Sequence, residues 1–288
     1  WMLAYNNVLI NLYSYSGGKS TGYYLYRDTD GRFTPLIGDF NFTFGSYKST
    51  GRGSDLSLLQ LQQMDPMLNV DNALKPLINK LLSNPHYAKV YLSHLRTILF
   101  SELLTGAYET KAKQLQEFIK PALANDVNKA YSNTDFDRSL IATIGRLTQI
   151  PGIVELMNER VRFLKRHPAL AVLPPAVSDV KAKHREKFVA NSMEEFQLNA
   201  KISEFATKVT VFYRYNNRES FKAAMMHDDG QHHDEKAGDF IYGVSLKPNS
   251  GNSRIEYYIQ AENVKAIAYS PERYMFERHS ATLEEINK

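Results

Sequence analysis

Residues 23–45 read YYLYRDTDGRFTPLIGDFNFTFG, and the first half of the chain is organised around them. Two aromatic and apolar runs, 23–26 and 33–37, flank an aspartate-rich segment that ends in Gly31. Strand-forming residues on both sides of a short Asp/Gly segment are typical of a β-hairpin. The stretch therefore predicts two strands joined by a turn.

The second strand is predicted to continue into residues 38–45, where Asp39 and Asn41 lie two positions apart. Residues two apart in an extended chain share one face, so their side-chain oxygens could converge on one cation. The alternative is that both are turn residues whose side chains bond to the nearby backbone. The D-x-N spacing by itself leaves both interpretations open.

Length and composition limit the classes of protein to which the chain can belong. Its 288 residues suffice for about two domains, and a hydrophobic content of 43% lets each bury a core. The 35 Lys and Arg residues are nearly balanced by 31 acidic ones and are scattered, which argues against a nucleic-acid-binding surface. Cysteine is absent, which excludes disulfides, thiolate metal sites and cysteine nucleophiles.

The sequence contains neither a membrane-spanning segment nor an export signal. No apolar run reaches the ~18 to 20 residues that a transmembrane helix requires, and no basic segment precedes an apolar one at the start. The first residues, WMLAYNNVLINL, already resemble the inside of a helix. We therefore expect the sequence to begin partway into a larger protein.

Apolar residues at helical spacing predict a mostly helical first half. Three histidines in it have no partner at metal-ligand spacing, and they are predicted to be surface or capping residues: His86, His94 and His167. The predicted helices cover residues 1–13, 72–82, 86–104, 109–130, 135–148 and 153–165.

The character of the chain changes at His167, where prolines punctuate a stretch of small residues. We predict a first domain at 1–167, a linker and entry segment at 168–200, and a second domain at 201–288. Alternation with period two in the last segment predicts an all-β sandwich of immunoglobulin-like or fibronectin-like type. Strands are predicted around 209–213, 240–246, 254–260, 266–269 and 274–277. The predicted core is Val211, Tyr213, Phe221, Met225, Ile241, Tyr257, Ile259 and Tyr269.

A second candidate cation site lies in residues 226–239, which read MHDDGQHHDEKAGD. Its carboxylates suit calcium, and its imidazoles could recruit zinc. The alternative is a long hairpin loop whose Asp and Gly residues serve only Asx turns and positive-φ positions. The side chains concerned are Asp228, Asp229, Asp234 and Asp239 for calcium, and His227, His232 and His233 for zinc.

Four short motifs resemble the spore coat protein H (CotH) kinase-like family. They are NLYSY at 11–15, GYYLY at 22–26, DTDG at 28–31 and GDFNFTFG at 38–45. The family's usual pattern is close to N-x-D-S-Y, then H-N-Y-Y-L-Y, then W-D-x-D-x-x-F-G. The resemblance spans roughly residues 1–167 and implies an atypical protein kinase fold that uses ATP and magnesium to phosphorylate serine.

The chain departs from that family pattern at positions that matter for catalysis. The resemblance makes Asp39 the metal-binding aspartate, but Asn41 replaces the family's second acidic residue and Thr21 and Gly22 replace its His-Asn pair. Tyr13 stands where the catalytic aspartate is expected, and a phenol is a poor base at neutral pH. The family's N-terminal lobe, with its glycine-rich loop and phosphate-binding lysine, is not found in this sequence.

The second domain carries a resemblance of its own. Residues 225–243 and 256–263 are similar to a sandwich module that follows such kinase-like domains in secreted bacterial proteins. This implies an exported protein that is secreted, periplasmic or held at the cell surface.

We predict a multidomain α+β protein, with a mostly helical kinase-like C-terminal lobe followed by an all-β sandwich. Its predicted function is weak or absent ATP-dependent serine phosphorylation, with ATP and magnesium as cofactors if it is active and calcium in the sandwich loop. The alternative function is a structural or adhesive surface protein that self-assembles or binds an unknown protein partner.

Overall fold

The computed structural model describes residues 1–29, 31–51, 53, 55–185, 195–203, 205–248 and 254–282. The chain divides into two units, Trp1–Ala171 and Val172–Lys288. The first is mainly helical and the second contains two antiparallel sheets. The predicted domain limits at 167 and 200 stay predictions.

The first unit is built from helices and one hairpin, as the apolar spacing predicts. The hairpin pairs β1 with β2 in the register Tyr23 opposite Ile37. A π-helical segment, Ile98–Leu103, continues directly from α4. The elements are α1 (Met2–Val8), β1 (Tyr23–Arg27), β2 (Phe33–Ile37), α2 (Leu58–Gln62), α3 (Pro76–Leu82), α4 (Pro85–Thr97), α5 (Ala107–Ala124), α6 (Asn133–Arg138), α7 (Ile153–Arg166) and α8 (Pro168–Ala171).

Local signals set where several of these helices begin and end. Helix α4 begins at Pro85, whose ring suits the first helical position, and the side-chain oxygen of Asn84 accepts the backbone N–H of His86 at 2.9 Å. The helix predicted over 135–148 ends at Arg138 instead. Residues 144 and 150 pair as a short antiparallel bridge, and Gly145 between them has φ +85°, a conformation that no α-helix contains.

The core of the first unit lies where α1, α4 and α7 meet. Its fully buried side chains are Ala4, Val8, Ile10, Leu12, Leu61, Leu95, Leu99, Leu156, Met157 and Leu164. Three charged side chains are also buried in this unit, Lys75, Arg96 and Arg160. Arg160 donates to the side-chain oxygen of Asn7 at 2.8 Å and to backbone carbonyls, which offsets part of the cost of its burial.

One of the three histidine predictions is wrong. His94 is only 4% exposed, and its ring stacks on that of Trp1 at a centroid distance of 4.7 Å. His86 is exposed, and His167 is the C-terminal capping residue of α7. Helical spacing puts His94 on the same face as Tyr91 and Leu95, and that face points into the core.

The second unit contains two antiparallel sheets. One has the order β3–β4–β7, and the other has the order β10–β8–β5–β6 with β9 also paired to β8. Buried side chains from both sheets, such as Phe196 and Leu198 from β4 and Val211 from β5, belong to one hydrophobic core. The immunoglobulin-like type stays a prediction. The strands are β3 (Val177–Arg185), β4 (Glu195–Ile202), β5 (Lys208–Arg214), β6 (Lys222–Met225), β7 (Ile241–Leu246), β8 (Arg254–Glu262), β9 (Ile267–Ser270) and β10 (His279–Thr282).

Two predictions within this unit are wrong. Met225 is 45% exposed and Met226 is buried in its place, because successive residues of a strand point to opposite faces. The strand predicted at 274–277 is a turn, in which the N–H of Phe276 donates to the carbonyl of Arg273 at 2.8 Å. The predicted core residues Val211, Tyr257, Ile259 and Tyr269 are buried, whereas Tyr213, Phe221 and Ile241 are partly exposed.

None of the helices in the described part of the chain combines the length and the apolar composition needed to cross a lipid bilayer.

Candidate functional site

The segment that carries Asp39 and Asn41 is a turn and not an extended strand. Strand β2 ends at Ile37, and Asp39 Oδ1 accepts the backbone N–H of Asn41 at 2.8 Å. The turn is tied to the end of α1, because the N–H groups of Phe44 and Gly45 donate to the carbonyls of Leu9 and Ile10. The prediction that the two side chains share a strand face is therefore wrong, and their joint metal binding stays a prediction.

Asn11 lies beneath this turn and is fully buried. Its Nδ2 donates to Asn6 Oδ1 at 3.1 Å and to the carbonyl oxygen of Asp39 at 3.4 Å. Its own side-chain oxygen makes no hydrogen bond within the described part of the chain. Asn11 thus connects the end of α1 to Asp39 through backbone and amide groups.

Tyr13, at the position of the expected catalytic aspartate, belongs to an aromatic cluster. Its ring centroid lies 4.5 Å from that of Phe42 and 5.5 Å from that of Tyr47. Lys19 Nζ lies 5.6 Å and 5.7 Å from the centroids of Tyr13 and Tyr47, within the range of a cation–π contact. The position is therefore occupied by packed rings beneath a cation.

Gly22 packs directly against the backbone of Tyr13. It has φ +72°, and a Cβ added at residue 22 would lie 2.2 Å from the carbonyl oxygen of Tyr13. Real Cβ contacts are not that short, and an L-residue is strained at this φ. The local backbone therefore requires glycine at residue 22.

Lys75 organises the loop that follows Tyr13. Only 6% of the residue is exposed, and its Nζ donates to the carbonyl of Tyr15 at 2.9 Å, to that of Gly17 and to the hydroxyl of Ser20. Burial lowers the pKa of Lys75. The ammonium draws backbone oxygens inward, and this shapes the loop.

The loop at 226–239 is organised by an anion instead. Asp234 is fully buried, and its carboxylate accepts the N–H groups of Asp229, Gly230 and His232, the last two at 2.7 Å and 2.9 Å. Burial by itself raises the pKa of Asp234, but the backbone N–H donors outweigh it and hold that pKa below its ordinary value. This carboxylate is therefore part of the loop's frame.

Two of the other predicted calcium ligands are also engaged with the backbone. Asp228 accepts the N–H groups of Gly238 at 2.7 Å and of Phe240 at 3.0 Å. Asp239 accepts the N–H of Ile241 at 2.9 Å through one oxygen and that of Lys236 through the other. The bond from Ile241 to Asp239 is an Asx turn, as the non-metal interpretation predicts, whereas the bonds to Asp228 close the loop from its far end. Calcium binding stays a prediction.

The comparison with protein families decides the assignment of the first unit. Residues 2–164 match the family model described as CotH kinase protein, which is more than half of the chain. The chain belongs to the CotH kinase family. The motifs at 11–15, 22–26 and 38–45 all fall within the matched range.

Other comparisons add little to this assignment. No curated protein matches the chain. A solved crystal structure described as a bromine derivative of BhCBM56 is similar to it at 13% identity and a TM-score of 0.24, covering 36% of this chain and 91% of that one. A similarity at that TM-score carries no argument about fold or function.

The residues of this CotH domain do not fit a self-sufficient magnesium site. Asp39 is the one carboxylate of the turn, and one of its oxygens accepts a backbone N–H. Asn41 contributes an amide without charge. Magnesium is ordinarily bound by one or two carboxylates together with substrate phosphates. Asp39 could therefore contribute to such an ion only if a nucleotide supplied most of its ligands.

Sequence reasoning missed the residues that shape this CotH site from within. Asn11, Lys19 and Lys75 are not close to one another in sequence, and no spacing rule relates them. The signal available for Lys75 was its place directly before Pro76 at the start of a helix, but such lysines are usually solvated. Only the fold reveals that its ammonium lies under the loop.

Proposed function

We propose that the CotH domain of this chain transfers phosphoryl groups weakly or not at all, and that it serves as a scaffold in an exported or surface-attached bacterial protein. The observation that carries the proposal is the packing of Tyr13 against Phe42 and Tyr47 beneath Lys19. The family's expected catalytic aspartate would occupy this position.

The chemistry of phosphoryl transfer explains why this replacement matters. The attacking hydroxyl needs a base or a positioning group, and a carboxylate suits that role at neutral pH. A phenol, with an ordinary pKa near 10, does not. Residues 11–22, NLYSYSGGKSTG, contain no acidic side chain that could take over the role from within the same loop.

The second departure supports the same conclusion. The family's asparagine would fall at residue 22, where a Cβ would meet the Tyr13 carbonyl oxygen at 2.2 Å. Restoring that asparagine would require the backbone of the Tyr13 loop to move. The two departures are thus coupled through one backbone contact, which is expected of a loop that has adapted to the loss of its ligands.

A phosphorylation assay with the natural protein that carries this chain tests the proposal. We expect incorporation of labelled phosphate from ATP into serine to stay at the background level, with or without magnesium. Magnesium-dependent serine phosphorylation that is abolished by Asp39→Ala would contradict it. Tyr13→Asp provides a matched variant: a gain of activity in it would locate the defect at residue 13.

The alternative, an assembly function, is favoured by one further observation. One face of the hairpin of β1 and β2 presents Tyr24, Tyr26 and Leu36 with exposures of 69%, 59% and 50%. Neighbouring exposed aromatic side chains of this kind often mark a protein contact. We expect light scattering to show self-association, or a pull-down to capture a partner, and Tyr24→Ser with Tyr26→Ser to abolish it. A monomer at all concentrations and no partner would count against assembly.

A further inference from the structure

Two imidazoles and one carboxylate converge in the loop at 226–239. One ligand atom from each of His227, Asp229 and His232 lies within 4.8 Å of those of the other two. The rings of His227 and His232 stack at a centroid distance of 4.4 Å. Side chains separated by five residues meet here because the loop folds back on itself.

The backbone holds both histidines in place. The N–H and the carbonyl of His227 form a β-bridge with Gly243, at 2.9 Å and 2.8 Å. The N–H of His232 donates to Asp234 Oδ1, and Asp234 is fully buried. The three-residue cluster is therefore attached to β7 at one end and to a buried carboxylate at the other, which reduces the entropy lost when a ligand binds.

Asp229 sets the orientation of one imidazole. Its two oxygens lie 2.9 Å and 3.0 Å from His232 Nδ1. An ionised carboxylate only accepts hydrogen bonds, so Nδ1 carries the proton while the loop holds no metal. A metal bound by Asp229 and His232 together takes the place of that proton.

We propose that His227, Asp229 and His232 form a binding site for a divalent transition metal, with zinc as the best match. Nitrogen and carboxylate ligands suit zinc, whereas calcium is bound by oxygen ligands alone. The carboxylates of Asp228, Asp234 and Asp239 already accept backbone N–H groups, so the loop's oxygen donors are largely committed.

The site is open to solvent. The side chains of His232 and Asp229 are 42% and 40% exposed, so a metal can enter and water can complete its coordination. A metal held there connects residue 227 to residue 232 across the loop. Binding to the folded state alone must raise the stability of the second unit.

Calorimetric titration of zinc chloride into the full chain, expressed without a histidine tag, tests the site. We expect one zinc ion per chain and a rise of several degrees in the melting temperature of the second unit. His227→Ala and His232→Ala should each weaken zinc binding at least tenfold. Cobalt should give visible absorption bands that are lost in the same variants.

His233→Ala is the matched control, because His233 contacts Gln197 and is not among the three ligands. It should leave zinc affinity within about twofold of the unmodified chain, since no ligand is removed. No zinc binding, or equal affinity in all three variants, would overturn the proposal. Stabilisation by calcium but not by zinc would overturn it in favour of an oxygen-ligand site. His232→Gln keeps side-chain size and provides a second test if the alanine variant does not fold.

Discussion

Each of the two loops considered for function is built around one buried charge, and the two charges have opposite sign. In the CotH domain, Lys75 lies under the loop after Tyr13 and binds the carbonyl oxygens of Tyr15 and Gly17. In the second unit, Asp234 binds the N–H groups of Gly230 and His232. A buried ion is tolerated in both because backbone dipoles replace water.

The sign of the buried charge decides what each loop can offer a ligand. Because the Asp234 carboxylate accepts backbone N–H groups of the loop, the neighbouring side chains of His227, Asp229 and His232 stay available to bind a cation. In the other loop Lys75 binds backbone carbonyl oxygens. The side chains nearby are the rings of Tyr13 and Tyr47, and Lys19 lies within cation–π distance of both. The first arrangement suits a metal, whereas the second presents aromatic rings and a cation, in line with the weak or absent phosphoryl transfer proposed for it.

The largest expected effect comes from removing the buried anion. Asp234→Ala should lower the free energy of unfolding of the second unit by about 3 to 4 kcal/mol, because three backbone N–H groups lose their buried carboxylate acceptor. Urea unfolding followed by hydrogen exchange reports the two units separately. Asp239→Ala, in the same loop but more exposed, is the control and should cost about 1 kcal/mol. Equal costs would remove the special role of Asp234.

Removing the buried cation should have a somewhat smaller effect. Lys75→Met should lower the free energy of unfolding of the first unit by about 2 to 3 kcal/mol, since buried carbonyl oxygens lose their donor while the aliphatic stem is retained. Lys80→Met, on the exposed face of the same helix, should change it by less than about 0.5 kcal/mol. Fluorescence of Trp1, the chain's one tryptophan, follows this unit. A loss that is the same for both variants would contradict the comparison.

A smaller effect is expected from acid, which should lower the stability of the first unit. Burial lowers the pKa of His94 from its ordinary 6.5 to about 3. The unfolded chain therefore takes up a proton below pH 6.5 that the folded first unit does not, and stability falls from there towards pH 3. The expected loss between pH 8 and pH 5 is about 2 kcal/mol.

The Asp234 loop should keep its stability over that range. Its folded-state pKa lies below the ordinary value, so its contribution is lost only as the pH falls through that lower pKa. His94→Gln should flatten the pH dependence of the first unit, whereas His86→Gln, at an exposed site, should leave it unchanged. Unfolding measured by urea at pH 8, 6.5 and 5 provides the comparison. An unchanged slope in His94→Gln would show that another group is responsible.

Features that depend on neighbours in sequence were predicted well. The hairpin of β1 and β2, the start of α4 after Asn84 and the alternation in β5 and β8 all follow from local preference and periodicity. The predicted helix over 135–148 was wrong because Gly145 joins a tight turn with Thr148, and the apolar spacing of 140–147 gives no sign of that contact.

The features of the candidate sites also divide into those that follow from the sequence and those that depend on the fold. Sequence alone determined the CotH family and the presence of an Asp/His loop, because motifs and composition are properties of the chain order. The replacement of the family's aspartate by Tyr13 stays a prediction from the same motifs. Tertiary structure alone decided that Gly22 packs against the backbone of Tyr13, that Lys75 and Asp234 are buried, and that the ring of His227 stacks on that of His232. Burial and convergence arise from contacts between distant or folded-back segments, and no periodicity within one segment encodes them.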